Sequence, residues 1–518
     1  MKFYKINPLF ILFLLNTFTF LFWFFKYSDY IPLFDQLFYL QLSKETFEQI
    51  KNFDISLLFD FYGGIGRFLN SYLPFILISP FYAIFGFSIN FYLFVNWLML
   101  NLSFLLIYKI AKELYDSKIG IIASFIFLTF PAIYWFSKFF FLEIIATPFL
   151  LLTFYLLIKT QNYKKTHFTI LYGIVGSITI LLKNATIIPI FLLHFYWFFK
   201  SKVWQDKQKS INFILSTFFF FTILLAYLFS PIRSYYQMLT TNYLQPLIIA
   251  KFFLLFPKYL IIHLGVIWFA FFFLFLLMRK NEKKDLTFFV IFLSYFLLFS
   301  LPLFYIPSPQ VRMSIMILPF FAIFLANFLF SQFKKILIFL ILLALIYMVF
   351  DLNFILLYNT KQHLEKEEYS LLKSGLCEKF QPSTFSPWIS FTGEEKGFFL
   401  NVSEVEKILQ KTSNIDKPKC FVFSLMLENA LEFLSTKQNY SISFEDLFLI
   451  IRKGGKVPEI EKKFNCFIVS DIEFFFLEKK YCEFLDELSK NLEKNPNFEF
   501  VGKYFPKKTL EVKVYVKK

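Results

Sequence analysis

Cysteine, histidine and acidic side chains are all scarce in this 518-residue chain. There are four cysteines and four histidines. The histidines (His167, His194, His263, His363) are scattered, so a histidine-rich metal centre is not expected. A carboxylate-bound divalent ion stays open. The cysteines (Cys377, Cys420, Cys466, Cys482) are all confined to the last third. Residues 1–356 hold only 13 Asp and Glu against 28 Lys and Arg, whereas residues 357–518 hold 24 against 25. The net charge of +16 therefore belongs to the first part. That placement points to membrane topology and lipid headgroups, and away from nucleic acid. The last third also lacks a nucleotide loop, a metal cluster and a nucleophile motif, which leaves binding or lid duty as its default.

What is abundant is apolar. Hydrophobic residues make up 57% of the chain, with 84 phenylalanines, and the mean hydropathy is +0.58. The richness in Phe, Ile, Lys, Asn and Tyr matches coding from an AT-rich genome. Apolar runs of about 20 residues recur, each long enough to cross a bilayer. They predict eleven crossings, at 8–25, 87–108, 119–137, 141–158, 168–182, 184–199, 211–229, 257–278, 286–305, 313–330 and 336–355. The first has no small-residue cleavage site after it and reads as a retained anchor. The apolar stretch 72–86, with Pro74 and Pro80, reads as a re-entrant or interfacial helix.

Lys and Arg orient these spans. With the N-terminus inside, six short cytoplasmic segments carry 18 basic residues and the longer outer loops carry 10. An odd number of spans then places the C-terminal region outside the cytoplasmic membrane. The expected fold class is an α-helical polytopic membrane protein with a C-terminal extracytoplasmic α/β domain. The domains are residues 1–356 and 357–518, with a first outer loop over about 26–86. In the tail, Cys420–Leu425 and Phe464–Ser470 read as strands and Glu478–Glu493 as a helix. Phe498–Phe505 and Leu510–Val516 read as a hairpin. Four cysteines in an exported domain allow two disulfides in three pairings, or four free thiols.

Glu113, Asp116, Asp206, Glu282 and Asp285 fall in inner loops beside lysines and read as solvated charge partners. Seven acidic residues fall outside: Asp29, Asp35, Glu45, Glu48, Asp54 and Asp60 in the first loop, and Glu143 between the third and fourth spans. Glu45 and Glu48 stand among lysines on an amphipathic stretch, as solvated charges do. Asp35 sits in an apolar segment, and on a helix it shares a face with Tyr39 at i, i+4. Two readings compete for it: a helix N-cap, or a carboxylate in a semi-dry cleft that serves as general base. Glu143 is either a charge at the membrane edge retained for function or the partner of Lys138. Four outer cations, Arg67, Lys183, Arg233 and Arg312, suit a lipid-linked phosphate. Taken singly, each also fits an interfacial anchor.

The order of these features resembles the GT-C glycosyltransferases, in particular the protein O-mannosyltransferase and aminoarabinose (lipid A) transferase branch. The residues that carry the resemblance are Asp35-Gln36-Leu-Phe-Tyr39, the Pro-containing stretch Tyr72 to Gly86, Glu143, Gly176 to Lys183, and Arg312 to Pro319. One departure is Gln36, which stands where the family pattern has a second acid. The resemblance implies transfer of a sugar from a polyprenyl-phosphate donor, with inversion, to a glycan, lipid or protein acceptor on the outer face. It implies Asp35 as base, Glu143 orienting acceptor or sugar, and Lys183, Arg233, Arg312 or Arg67 holding the phosphate. No cofactor beyond the lipid-linked sugar is implied for certain. A flippase, a transporter or a repeat-unit polymerase is the competing class.

Overall fold

A computed structural model describes residues 7–26, 30–32, 35–53, 73–85, 91–229, 246–278, 285–300, 311–350, 352, 399–413, 419–423, 431, 443–446, 464–470, 479–507 and 510–518. The chain forms two compact units. The first takes in the described residues of Met1–Phe24 and Ser43–Thr360, and the second those of Phe25–Leu42 and Gly393–Lys518.

The helices run in order α1 (Pro8–Lys26), α2 (Asp35–Lys51), α3 (Leu73–Phe85), α4 (Phe91–Leu114), α5 (Ser117–Leu128), α6 (Pro131–Phe136), α7 (Leu142–Lys159) and α8 (Thr166–Leu182). Then come α9 (Ile187–Lys200), α10 (Lys207–Phe229), α11 (Pro246–Met278), α12 (Asp285–Ser300), α13 (Val311–Ser314), α14 (Leu318–Gln332) and α15 (Leu337–Val349). Each of the eleven expected spans is occupied by helix. Among the described residues five helical stretches are long and apolar enough to cross a membrane: Pro8–Lys26, Phe91–Leu114, Leu142–Lys159, Phe256–Met278 and Arg312–Gln332. The third expected span is broken into α5 and α6, because Pro131 cannot donate into α5 and instead opens α6 at its first position. Gly265, at φ 78°, kinks α11, a conformation open to glycine at little cost.

The stretch 72–86 contains α3, with Pro80 inside it. Tyr82 of α3 meets Ser43 of α2 through a buried hydroxyl pair at 2.6 Å. Glu45 and Glu48 are exposed, as expected of solvated charges. Glu113 pairs with Lys159. Asp116 and Asp206 do something more local than pairing with lysines. Asp116 Oδ1 accepts from the Lys118 and Ile119 amides at 2.7 and 2.9 Å. Asp206 Oδ1 accepts from the Gln208 and Lys209 amides at 2.9 and 3.3 Å. Both carboxylates cap helix N-termini, where free amides and the helix dipole favour negative charge.

Helix α7 lies deep in the first unit, packed by α4, α8 and the 3₁₀ turn Ile315–Ile317. Gly176 permits the close packing of α8: a Cβ there would stand 2.5 Å from a Phe220 ring carbon and 3.3 Å from Thr153 Cγ2. By contrast α1 carries its apolar side chains largely exposed, as a helix facing lipid does.

The second unit holds strands β1 (Tyr30–Pro32), β2 (Phe399–Asn401), β3 (Lys419–Phe423), β4 (Ser443–Asp446), β5 (Cys466–Ser470), β6 (Phe498–Lys507) and β7 (Leu510–Lys517), with helices α16 (Val402–Ser413) and α17 (Lys479–Lys494). A five-stranded sheet has the order β4-β3-β5-β7-β6. β3 is parallel to β4 and β5, and β7 is antiparallel to β5 and β6. The α/β character and the final hairpin match the reading of the sequence. β3 lies between β4 and β5, and Cys420, Phe421 and Val422 are all fully buried, as a strand covered on both faces requires. Cys420 and Cys466 face each other in register across β3 and β5, as free buried thiols. Cys377 lies outside the described residues.

Candidate active site

Three charges separated widely in sequence meet in the first unit. Glu143 is in the first turn of α7, where a carboxylate suits the helix dipole. Its side chain is 0% exposed, and Lys183 Nζ lies 3.1 Å from its Oε1 with 3% exposure. Arg312 Nε lies 3.5 Å from the same oxygen, with 23% of its side chain exposed. The Arg312 guanidinium also stacks 5.1 Å from the Phe141 ring centre. Among the described residues the cluster sets two positive charges against one negative.

Local structure explains each position. Lys183 ends α8 in an extended conformation, φ −153° and ψ 110°, before the 3₁₀ turn Asn184–Thr186. Thr186 Oγ1 donates to the Lys183 carbonyl at 2.8 Å and lies 3.1 Å from that of Thr179, so the break in the helix is stitched by a hydroxyl. Glu143 follows the tight turn Ser137–Phe141. That turn is braced from α4 by Asn96, whose Nδ2 donates to the Ser137 and Phe139 carbonyls at 2.8 and 2.6 Å. Arg312 rides on α13, directly before the 3₁₀ turn that packs on α7.

A cation this deep is costly unless it is paired. Lys183 is thus expected to reach water, a headgroup or an anion, and the anion is supplied by the protein's own Glu143. Lys138, expected as one alternative partner of Glu143, is buried with its ammonium 4.3 Å from the Trp135 ring centre.

Asp35 is the first residue of α2. Tyr39, one turn on, is buried. Asp35 belongs to the second unit, and Glu143, Lys183 and Arg312 to the first. Arg67 and Arg233 lie outside the described residues. Among the described residues no group of three or more His, Cys, Asp or Glu comes together to hold a metal. His194 is engaged by Tyr163 and Thr217 at 3.0 and 2.9 Å, and His263 by Tyr295 at 2.6 Å.

Two residues escaped the reading of the sequence. Asn96 is one, and its Oδ1 is buried with no hydrogen-bond partner in the protein. Tyr92, one turn earlier on α4, has a buried hydroxyl likewise without a partner. A signal was available, because an amide inside an apolar span is costly and marks a role.

Residues 71–229 match the family model described as dolichyl-phosphate-mannose-protein mannosyltransferase. That stretch contains Asn96, Glu143 and Lys183. No curated protein matches the chain. Among solved structures, ArnT from Cupriavidus metallidurans bound to undecaprenyl phosphate is 10% identical, with 97% of each chain covered and a TM-score of 0.55. Its apo state is 11% identical, with the same coverage and TM-score. The Archaeoglobus fulgidus oligosaccharyltransferase in complex with Zn and sulfate is 12% identical, covering 89% of this chain and 67% of that one, with a TM-score of 0.50. At these identities the likeness is one of fold. The chain has the GT-C fold of a multi-pass membrane protein, as the resemblance in its sequence implies.

Proposed function

We propose that this protein is a glycosyltransferase that takes a sugar from a polyprenyl-phosphate donor to an acceptor on the outer face of the cytoplasmic membrane. The observation that carries the reading is the buried cluster of Glu143, Lys183 and Arg312. It brings two cations to one buried carboxylate, a largely dehydrated place for one phosphate, and a lipid-linked donor carries one. The match to a mannosyltransferase family over the stretch holding two of these residues supports the donor class. So does the fold shared with a protein crystallised with undecaprenyl phosphate.

In this mechanism the acceptor hydroxyl or amine attacks C1 of the sugar from the face opposite the phosphate. Asp35 accepts the proton that the nucleophile loses. The bond between C1 and the phosphate oxygen breaks, and its electron pair stays on that oxygen. A singly charged phosphodiester thereby becomes a phosphomonoester that carries a second charge. Lys183 and Arg312 stabilise that growing charge, with Arg233 and Arg67 as further phosphate ligands. Attack from the opposite face inverts the anomeric centre. Tyr39 lines the site beside Asp35. Glu143 holds the two cations in place and orients acceptor or sugar. Gln36 supplies no second carboxylate, so the base role rests on Asp35 alone. In this orientation the N-terminus is cytoplasmic and the second unit extracytoplasmic.

The test is a panel of polyprenyl-phosphate sugars given to the purified full-length protein and to Asp35→Asn. The expected result is transfer by the wild type and a loss of about 10²–10⁴-fold in the variant, the usual worth of a general base. Full activity of the variant would remove Asp35 from the chemistry. A flippase, a transporter or a non-catalytic scaffold has no need of that carboxylate.

A further inference from the structure

The segment that leads to Asp35 is tied to a part of the chain more than 360 residues away. β1 pairs antiparallel with β2, with Tyr30 opposite Asn401, Ile31 opposite Leu400 and Pro32 opposite Phe399. Asp35 is three positions on from Pro32, and three steps along the chain reach at most about 11 Å. Pinning Pro32 therefore confines the start of α2.

A ladder of three residue pairs is too short to persist alone, so β2 has to be held from behind. It is. Asn401 ends β2 and caps α16, its Oδ1 accepting from the Ser403 amide at 2.9 Å and the Ser403 hydroxyl at 2.7 Å. α16 buries Val405, Ile408 and Leu409 and packs on β2 and β6, while β2 itself packs on β6. β6 is hydrogen-bonded to β7, and β7 to β5. A continuous set of contacts inside one unit thus runs from the five-stranded sheet through α16 and β2 to β1.

We infer that the C-terminal unit is a positioning element for Asp35: its strand β2 holds β1, and β1 sets where the helix that begins at Asp35 starts. This rests on the reading of Asp35 as the catalytic base. The C-terminal unit then needs no chemical groups of its own, which fits its lack of nucleotide, metal or nucleophile motifs. It also makes residues 399–401 positioning residues for a reaction they do not touch.

The experiment has a structural arm and a kinetic arm, both on the full-length membrane protein. For the first, Ile31→Cys and Leu400→Cys are combined with Cys377→Ser and Cys482→Ser. Dioxygen, with copper phenanthroline as catalyst, takes the two electrons and two protons of the paired thiols. The linked peptides are read by mass spectrometry. The bond is expected in the double variant and not in either single one, and its failure to form would overturn the pairing. Leu400→Pro is then followed by hydrogen exchange. Residues 30–42 should exchange at least tenfold faster while β5 and β7 keep their protection. Unchanged exchange over 30–42 overturns the inference.

In the kinetic arm, the polyprenyl-phosphate sugar that the wild type turns over fastest serves as donor. Leu400→Pro should lower kcat by about 10²-fold, the scale of a misplacement of about 1 Å, with the donor KM nearly unchanged. The oxidised Ile31→Cys/Leu400→Cys protein should keep wild-type kcat. A kcat that survives the loss of protection at 30–42 overturns the positioning role. If the wild type turns over no donor in the panel, the glycosyltransferase reading fails with it, and the role in positioning a base falls too. The cross-link and exchange data would still decide whether the C-terminal unit holds the segment before Asp35.

Discussion

Glu143→Gln changes the charge of the buried cluster with almost no change in shape. Glu143 is fully buried, with Lys183 at 3.1 Å and Arg312 at 3.5 Å from the same oxygen. At an effective dielectric constant of about 20, a unit pair 3 Å apart is worth about 5 kcal/mol before desolvation. Breaking such a pair from one side costs about 3–5 kcal/mol, because the other charge stays behind in a dry site. Glu143→Gln should therefore be clearly less stable than the wild type. The same change makes the cluster more positive by one charge, and that favours an anion. A second phosphate charge about 8 Å away gains about 2 kcal/mol at the same dielectric constant, about a thirtyfold gain in affinity for a phosphomonoester over a phosphodiester. Thermal unfolding of the full-length protein in detergent, with and without undecaprenyl phosphate, reads both effects. Without lipid the variant should melt several degrees lower. With lipid phosphate in excess it should recover more than the wild type gains, since a ligand stabilises in proportion to the logarithm of its affinity. A variant as stable as the wild type, or one that undecaprenyl phosphate does not rescue, would refute the phosphate reading of the cluster.

Other expectations follow from the same structure. Lys183→Met leaves Glu143 paired with Arg312, and should cost less stability than Glu143→Gln, which takes the carboxylate from both cations, measured by the same melting assay. Asn96→Leu removes the Asn96 donor from the Ser137 carbonyl and from the Phe139 carbonyl, which keeps the Phe141 amide at 3.0 Å, at about 1–3 kcal/mol for a buried group left unpaired. The melting point should fall, and the chymotryptic sites at Phe139–Phe141 should open. In the second unit, burial and the neighbouring Cys420 push the Cys466 thiol well above its ordinary pKa. Little of it is thiolate at pH 8, so iodoacetamide should label Cys420 and Cys466 slowly in the native protein and quickly after denaturation. Rapid native labelling would contradict their burial.

Much of the membrane unit could be read locally. An apolar run long enough to cross a bilayer is recognisable from its own residues, so each of the eleven expected spans holds helix among its described residues. Pro131 shows what such a reading misses: a run of apolar residues looks continuous although its backbone cannot be. Asp116 and Asp206 cap helices although their sequence neighbours are lysines, and charge proximity in sequence is easier to see than the amides of a helix start. Glu143 and Lys183 stood out individually because a charge in an apolar setting is costly wherever it occurs. Asn96 carries a smaller penalty and was passed over, although it braces the turn that delivers Glu143.

The sequence by itself determined where the apolar helices lie, the α/β character of the second unit, and which charges needed a reason to exist. All of these depend on neighbours within a few residues or on composition. The tertiary structure decided which charges answer one another. Glu143, Lys183 and Arg312 are far apart along the chain, yet they share one carboxylate oxygen. It also decided that the strand before Asp35 is completed by residues 399–401. Neither pairing leaves a local pattern, because long-range partners are chosen by the packing of whole helices and sheets.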